Sequence, residues 1–222
     1  SYTGNNTYEI AYKSKCKIKV ESIILSKGGG YIAGDNCLIK KTSTKLYAAL
    51  SDGMGSGLKA YEASKALLKR LEGLINLPYD DEKIIRLLTE LSHISLFTSS
   101  YATLDFFSAN LATKKGKLFK IASSTSLLIR NNQIKEFNTK TLPIDFDGIL
   151  DLYEIDLEKN DIILLMSDGV FDFSNIKALY SYILSISYLE PDKLVYNIAK
   201  YIFNESNKKL HDDTSILAIK VY

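Results

Sequence analysis

The sequence predicts an α+β fold layered on antiparallel sheets. Three observations carry this reading. Apolar patterns of period 2 and period 3.6 follow one another as strands, helices, strands, helices and a final strand. That order suits antiparallel sheets covered by helices and not a repeating parallel unit. The chain has 222 residues, 46% of them apolar, enough to bury roughly 70% of the unfolded surface. It contains only three prolines and no repeat or Pro/Gly-rich linker, so residues 1–222 read as a single domain.

The first third is strand-like. Tyr8 to Lys13 and Lys17 to Ser26 contain alternating segments, among them Ile18, Val20 and Ser22 to Ile24. Gly28-Gly29-Gly30 breaks the chain. Two further strands, Asn36 to Lys41 and Lys45 to Ser51, are joined by Thr42-Ser43-Thr44 as a hairpin. From Gly57 to Asn76 the period becomes helical, with Ala63, Leu67, Leu71, Leu74 and Ile75 on one side and Lys59, Glu62, Lys65, Lys69 and Glu72 on the other. Pro78 stops it. A second helix is expected from about Asp80 to Leu96 on the stripe Ile84, Leu87, Leu88 and Leu91. Four short strands follow, at Tyr101 to Thr113, Lys117 to Ala122, Ser126 to Arg130 and Gln133 to Phe137, with Asn131-Asn132 as a turn. Leu152 to Leu157 and Ile162 to Met166 are strands, Asn175 to Ser185 and Pro191 to Asn204 are helices, and Thr214 to Val221 is the closing strand.

Composition narrows the function classes. The chain carries 28 Lys and Arg against 26 Asp and Glu, a net charge of +2. So small and scattered a charge argues against a nucleic-acid partner. The two cysteines, Cys16 and Cys37, are too few for a disulfide framework and fit a reducing compartment. No apolar run approaches the ~18 residues of a membrane span. The chain begins at Ser1, and we expect a cytoplasmic domain of a longer, membrane-anchored protein, with membrane contact only through segments outside this chain. A homodimer is left open.

Four acids lie where predicted strands begin or end. Asp35 opens the strand before the Thr42-Ser43-Thr44 turn and Asp52 closes the strand after it. Both are equally far from a turn centred between Ser43 and Thr44, so hairpin pairing alone sets them opposite one another. Asp168 follows the strand Ile162 to Met166, and Asp212 precedes Thr214 to Val221. All four can converge on one edge of the sheet layer. Two like charges ~4 Å apart repel by roughly 4 kcal/mol at an effective dielectric near 20, so such a cluster calls for protons or cations. Carboxylate and carbonyl oxygens suit hard ions such as Mg²⁺ or Mn²⁺, whereas zinc would want His or Cys. The glycines of Asp52-Gly53-Met54-Gly55-Ser56-Gly57 and Asp168-Gly169 allow close backbone approach to a metal or phosphate.

Gly34-Asp35, Asp52-Gly53-Met54-Gly55-Ser56-Gly57, Ala102-Thr103-Leu104-Asp105, Ser167-Asp168-Gly169-Val170-Phe171-Asp172 and Asp212-Asp213-Thr214-Ser215 resemble the ordered motifs of the metal-dependent protein phosphatases of the 2C type. The resemblance covers essentially the whole chain. Lys27-Gly28-Gly29-Gly30 and Leu142-Pro143-Ile144 are most similar to the branch typified by the phosphatase domain of stage II sporulation protein E. The resemblance implies an αββα sandwich of two antiparallel sheets flanked by helices, with a centre of two Mn²⁺ or Mg²⁺ ions. Asp52 would bridge both ions, the Gly53 carbonyl would complete one site, and Asp168 and Asp212 would ligate the other. Asp35 would be a ligand or hold metal-bound water, and Asp213 ranks lower because it is expected to face the other way. In this family such an ion pair activates a shared water for in-line attack on phosphorus.

The implied activity is serine/threonine protein phosphatase. The implied substrate is a phosphorylated anti-sigma-factor antagonist in sporulation, and a cell-division protein would be a partner through a region preceding Ser1. Eukaryotic-type members carry a histidine where Met54 stands, so the leaving-group acid is unassigned, and Arg70, Arg86 and Arg130 offer no clear match to a phosphate-gripping arginine. The resemblance also implies that the two helices after the glycine loop act as a switch on Gly53. His211 reads as a surface residue, His93 as part of a helix-to-strand connection, and Asp105 as solvating a strand face. Two alternatives are a catalytically degenerate module that binds phosphoproteins or division proteins, and a nucleotide-binding enzyme. The glycine loop lacks the lysine of a phosphate loop, which disfavours the second.

Overall fold

The structure is a computed structural model and describes residues 16–94, 101–139, 150–172 and 175–222. The predicted strand at Tyr8 to Lys13 and the motif Leu142-Pro143-Ile144 lie outside those residues. In chain order the first elements are β1 (Ile18–Leu25), β2 (Asn36–Lys41), β3 (Lys45–Ser51), α1 (Leu58–Leu74), α2 (Asp81–Ile94), β4 (Leu104–Asn110) and β5 (Lys115–Ile121). They are followed by β6 (Ser126–Arg130), β7 (Gln133–Phe137), β8 (Asp151–Asp156), β9 (Ile162–Met166), α3 (Ile176–Ile186), α4 (Pro191–Glu205) and β10 (Thr214–Val221).

The strands form two five-stranded antiparallel sheets, one in the order β1-β10-β9-β6-β7 and the other β2-β3-β4-β5-β8. Alternation along β3 shows how the layers assemble. Leu46, Ala48 and Leu50 point between the sheets, toward Leu128, Ile163, Leu165 and Leu217. Tyr47 and Ala49 point the other way, into the layer filled by Leu67 and Leu71 of α1 and Ile84, Ile85 and Leu88 of α2. On the far side, Leu164, Ile216 and Ala218 pack against Leu179 and Ile183 of α3 and Leu194, Ile198 and Ile202 of α4. Two covered faces explain why every residue of β9 and β10 is buried and why Ile162–Met166 reads as an unbroken apolar run. The expected αββα sandwich is present.

The predicted hairpin register holds. Asn36 pairs with Ser51 and Lys41 with Leu46, and the turn is closed by the Thr42 N–H donating to the Lys45 carbonyl at 2.8 Å. Asn131 and Asn132 take the left-handed φ values of 50° and 60° between β6 and β7. The helical stripes differ in detail. In α1, Ala60, Ser64 and Leu68 join Leu67 and Leu71 in the buried set, while Ala63 and Leu74 are only partly covered. In α2, Ile85 is fully buried and Leu91 is exposed, because Ile84, Ile85 and Leu88 are the residues turned into the layer shared with α1 and the sheet. Backbone at His93 is still helical, so this residue belongs to α2 and not to the connection after it.

Candidate metal centre

Asp35 and Asp52 flank the open end of the β2–β3 hairpin. Beyond the last ladder pair the backbone stays tied. The Gly53 N–H donates to the Gly34 carbonyl at 3.4 Å, Met54 N–H to Tyr101 O at 2.8 Å, and Thr103 N–H to Asp52 O at 2.8 Å. The Asp52 N–H in turn donates to Thr103 Oγ1 at 3.0 Å. Helix α1 braces the same end. Ser64 Oγ donates to the Gly34 carbonyl and accepts from the Asn36 side chain at 2.8 Å, holding both neighbours of Asp35. A β-carbon on Gly53 would lie 1.9 Å from the Ala60 carbonyl oxygen, so only glycine lets the start of α1 rest on this loop.

Asp168 and Asp212 come from the other sheet. Met166 pairs with Ile216 across β9 and β10, and the ladder continues past it. Ser167 N–H donates to Ser215 O at 3.0 Å and Ser215 N–H to Ser167 Oγ at 2.8 Å. Asp168 then enters a short 3₁₀ turn ending at Val170. A β-carbon on Gly169 would stand 2.2 Å from the Asp213 carbonyl oxygen, so this turn closes onto the strand start bearing Asp212 only because the residue is glycine. Pairing of β9 with β10 thus joins two acids far apart in sequence.

Asp213 has a different task. Its carboxylate accepts the Lys27 N–H at 2.7 Å and the Gly34 N–H. It clasps the loop before Asp35 to the entrance of β10, with both oxygens occupied by backbone.

The remaining acids repel one another. Asp35 is 2% exposed, and neither carboxylate oxygen has a hydrogen-bond partner. Burial pushes its pKa up to about 6, moderated by the nearby Ser215 and Ser167 hydroxyls and by Asp52. Asp52 is pushed further, to about 8, first by burial and then by the charges of Asp35, Asp168 and Asp212. Burial and the Asp212 charge also raise Asp168. The structure therefore brings Asp35, Asp52, Asp168 and Asp212 into one electrostatic cluster. A cleft of about 170 Å³ opens beside it, lined by Asp52 and Asp168 together with Thr103, Asp105, Ser123 and Ser124.

Among the described residues, no group of three or more His, Cys, Asp or Glu side chains is gathered tightly enough to hold a metal ion as placed. The four acids are a self-repelling set and not a closed coordination shell. The donor chemistry nonetheless fits hard divalent cations: the carboxylates are all-oxygen donors, they are mutually destabilised, and Asp35 has two orphaned buried oxygens of the kind that an ion explains.

Asp105 departs from its expected role. It is 1% exposed and pairs with the fully buried Lys120 opposite it on β5, so it solvates no surface. His211 is exposed beside Asp212, in line with its reading as a surface residue, and Met54 is half exposed on the glycine loop.

Known proteins match this chain in sequence and in fold. A family profile described as Stage II sporulation protein E (SpoIIE) matches residues 42–222. The stage II sporulation protein E of Bacillus subtilis (strain 168) is 29% identical over 153 residues, 66% of this chain but only 18% of that protein. The chain therefore spans less than a fifth of that relative's length. The solved PP2C phosphatase domain of SpoIIE from Bacillus subtilis, with a fragment of its regulatory domain, superposes with a TM-score of 0.84 at 21% identity over 94% of this chain and 65% of that one. The catalytic domain of the serine/threonine protein phosphatase PstP, solved with two manganese ions, gives 0.71 at 15% identity over 92% and 98%. At such identities the structural likenesses establish a common fold.

Proposed function

The chain belongs to the stage II sporulation protein E family, and on that premise we propose that it is a divalent-cation-dependent serine/threonine protein phosphatase domain. Its substrate is a phosphoserine on a regulatory protein, namely a phosphorylated anti-sigma-factor antagonist that controls sporulation sigma factors. A cell-division protein is a partner through sequence outside this chain. One observation carries the reading: four aspartates from two sheets share one cluster in which the buried Asp35 has two unpartnered oxygens and Asp52 is driven up to about 8. The two manganese ions of the PstP catalytic domain, which shares the fold, support a pair of Mn²⁺ or Mg²⁺ ions.

Asp35, Asp52, Asp168 and Asp212, with the Gly53 carbonyl, would hold the cations. When bound, those ions supply Lewis-acid chemistry for phosphate-ester hydrolysis. The chain itself does the positioning. Thr103 and the hairpin fix Asp52 on one side of the cleft, and the Ser167–Ser215 ladder fixes Asp168 on the other. Ser64 and Asp213 hold the loop of Asp35 from two directions. The contact of Gly53 with Ala60 gives α1 a direct hold on the ligand loop, which is what a helix switch on this centre requires.

The test is phosphate release from a phosphoserine protein and from p-nitrophenyl phosphate, with and without Mn²⁺. Metal-dependent turnover is expected. Metal-saturated protein that binds phosphoprotein but stays inert would favour the degenerate binding module instead.

A further inference from the structure

The interior between the sheets is apolar over most of its extent, and apolar contacts stabilise without fixing direction. At the edge beside the cleft, a polar connection crosses it. Asp105 on β4 and Lys120 on β5 are cross-strand partners in one sheet, and Ser126 opens β6 in the other. The Ser126 hydroxyl donates to Asp105 Oδ2 at 2.9 Å and accepts from Lys120 Nζ at 2.8 Å. Asp105 Oδ1 accepts from Lys120 and from Ser123 Oγ at 2.8 Å. Lys120 also donates to the Ser124 carbonyl at 2.6 Å, so all three ammonium hydrogens have acceptors. Exposure is 0% for Lys120 and 1% for Asp105.

Buried ion pairs can often be replaced by apolar residues without loss of stability, so stability alone does not account for the placement of this one. Its location does. Asp105 pairs with Leu50, two residues before Asp52 on β3. Ser126 precedes Leu127, which pairs with Leu164 on β9, the strand that ends in front of Asp168. Asp105, Ser123 and Ser124 line the same cleft as Asp52 and Asp168. The chain crosses between sheets at Ala122, in the left-handed region at φ 50°, and the network clamps both sides of that crossing.

We infer that Asp105, Lys120 and Ser126 form a positioning strut that sets the separation of the two sheets at the aspartate cluster, and with it the spacing of Asp52 from Asp168. The inference rests on the metal-centre reading above. Ligands drawn from two sheets can serve one ion pair only at a defined spacing, and supporting contacts must hold such spacing to within about 0.5 Å.

Ser126→Ala is the direct test, because it removes the connection between sheets and leaves the Asp105–Lys120 pair in place. A double replacement, Asp105→Leu with Lys120→Met, removes the whole network without stranding a charge. Mn²⁺ binding is measured by electron paramagnetic resonance on the purified domain, alongside the Mn²⁺ dependence of p-nitrophenyl phosphate hydrolysis. The expected result is Mn²⁺ binding weaker by about tenfold in Ser126→Ala, the scale of lost outer-shell support, with turnover largely restored at saturating metal. Ile183→Val, in the α3 layer away from the cleft, controls for general loosening. Three results would overturn the strut: wild-type Mn²⁺ affinity in Ser126→Ala, an equal shift in Ile183→Val, or an intact metal profile in a folded double variant. Wild-type protein that binds no Mn²⁺ would overturn the metal-centre reading and the strut together.

Discussion

Asp35 and Asp105 sit in adjoining parts of the sandwich at nearly equal burial, 2% and 1% exposed, yet they are opposite in what surrounds them. Asp105 has Lys120, Ser123 and Ser126 as donors. Asp35 completes no hydrogen bond, although the Ser215 and Ser167 hydroxyls lie near it, and it shares its surroundings with the Asp52 and Asp213 carboxylates. A buried charge is tolerated when its bonds are complete and costs several kcal/mol when they are not. The protein completes one of these polar clusters by itself; the other, on the function proposed above, would be completed by cations. That contrast distinguishes a structural network from a binding centre more sharply than the presence of acids does.

The contrast can be broken experimentally. The largest effect is expected on activity: Asp52→Asn or Asp168→Asn should each lower phosphatase turnover by at least ~100-fold at saturating Mn²⁺, measured on a phosphoserine protein, while Asp105 stays paired. Next, Asp105→Ala leaves Lys120 charged and buried, and should cost about 3–5 kcal/mol in urea unfolding. Asp35→Asn should do the reverse and stabilise the metal-free protein, by on the order of 1 kcal/mol, since it removes a buried charge that repels its neighbours. If both changes destabilise the metal-free protein, the distinction between the two clusters fails.

The smallest effect is in pH dependence. Carboxyls near 3.9 when unfolded rise to about 6 at Asp35 and about 8 at Asp52 in the fold. Between those limits the native state binds more protons than the unfolded chain, so stability declines with rising pH. The melting temperature of metal-free protein should be highest on the acid side and fall as pH passes through 6 toward 8. Mn²⁺ should flatten or invert that slope, because cations replace the protons. A metal-free profile that rises over this window would contradict the repulsion assigned to the cluster.

The same residues show how far the sequence could be read. Counting from the Thr42-Ser43-Thr44 turn sets Asp35 opposite Asp52, and the observed register, Asn36 with Ser51, agrees. The pairing of Asp105 with Lys120 obeys the same arithmetic about a turn at residues 111–114, closed by the Lys114 N–H donating to the Asn110 carbonyl at 2.9 Å. The sequence does not reveal it, because Tyr101 to Thr113 reads as strand straight through that turn. Lys114 adopts a φ of 58°, a local feature that a lysine does not advertise. In α2, apolar residues at Leu87, Leu91 and Ile85 offered overlapping stripes, and contact with both α1 and the sheet selected Ile85.

Turn chemistry and alternation, acting between near neighbours in the chain, are sufficient for most of the described strands and helices and for one half of the aspartate cluster. The meeting of Asp168 with Asp212 needed the β9–β10 ladder, and the meeting of both with Asp52 needed two apolar faces to stack in one particular orientation. Residue periodicity states which side of a strand is buried but not which other strand it faces, because burial is a property of each residue whereas facing belongs to pairs distant along the chain.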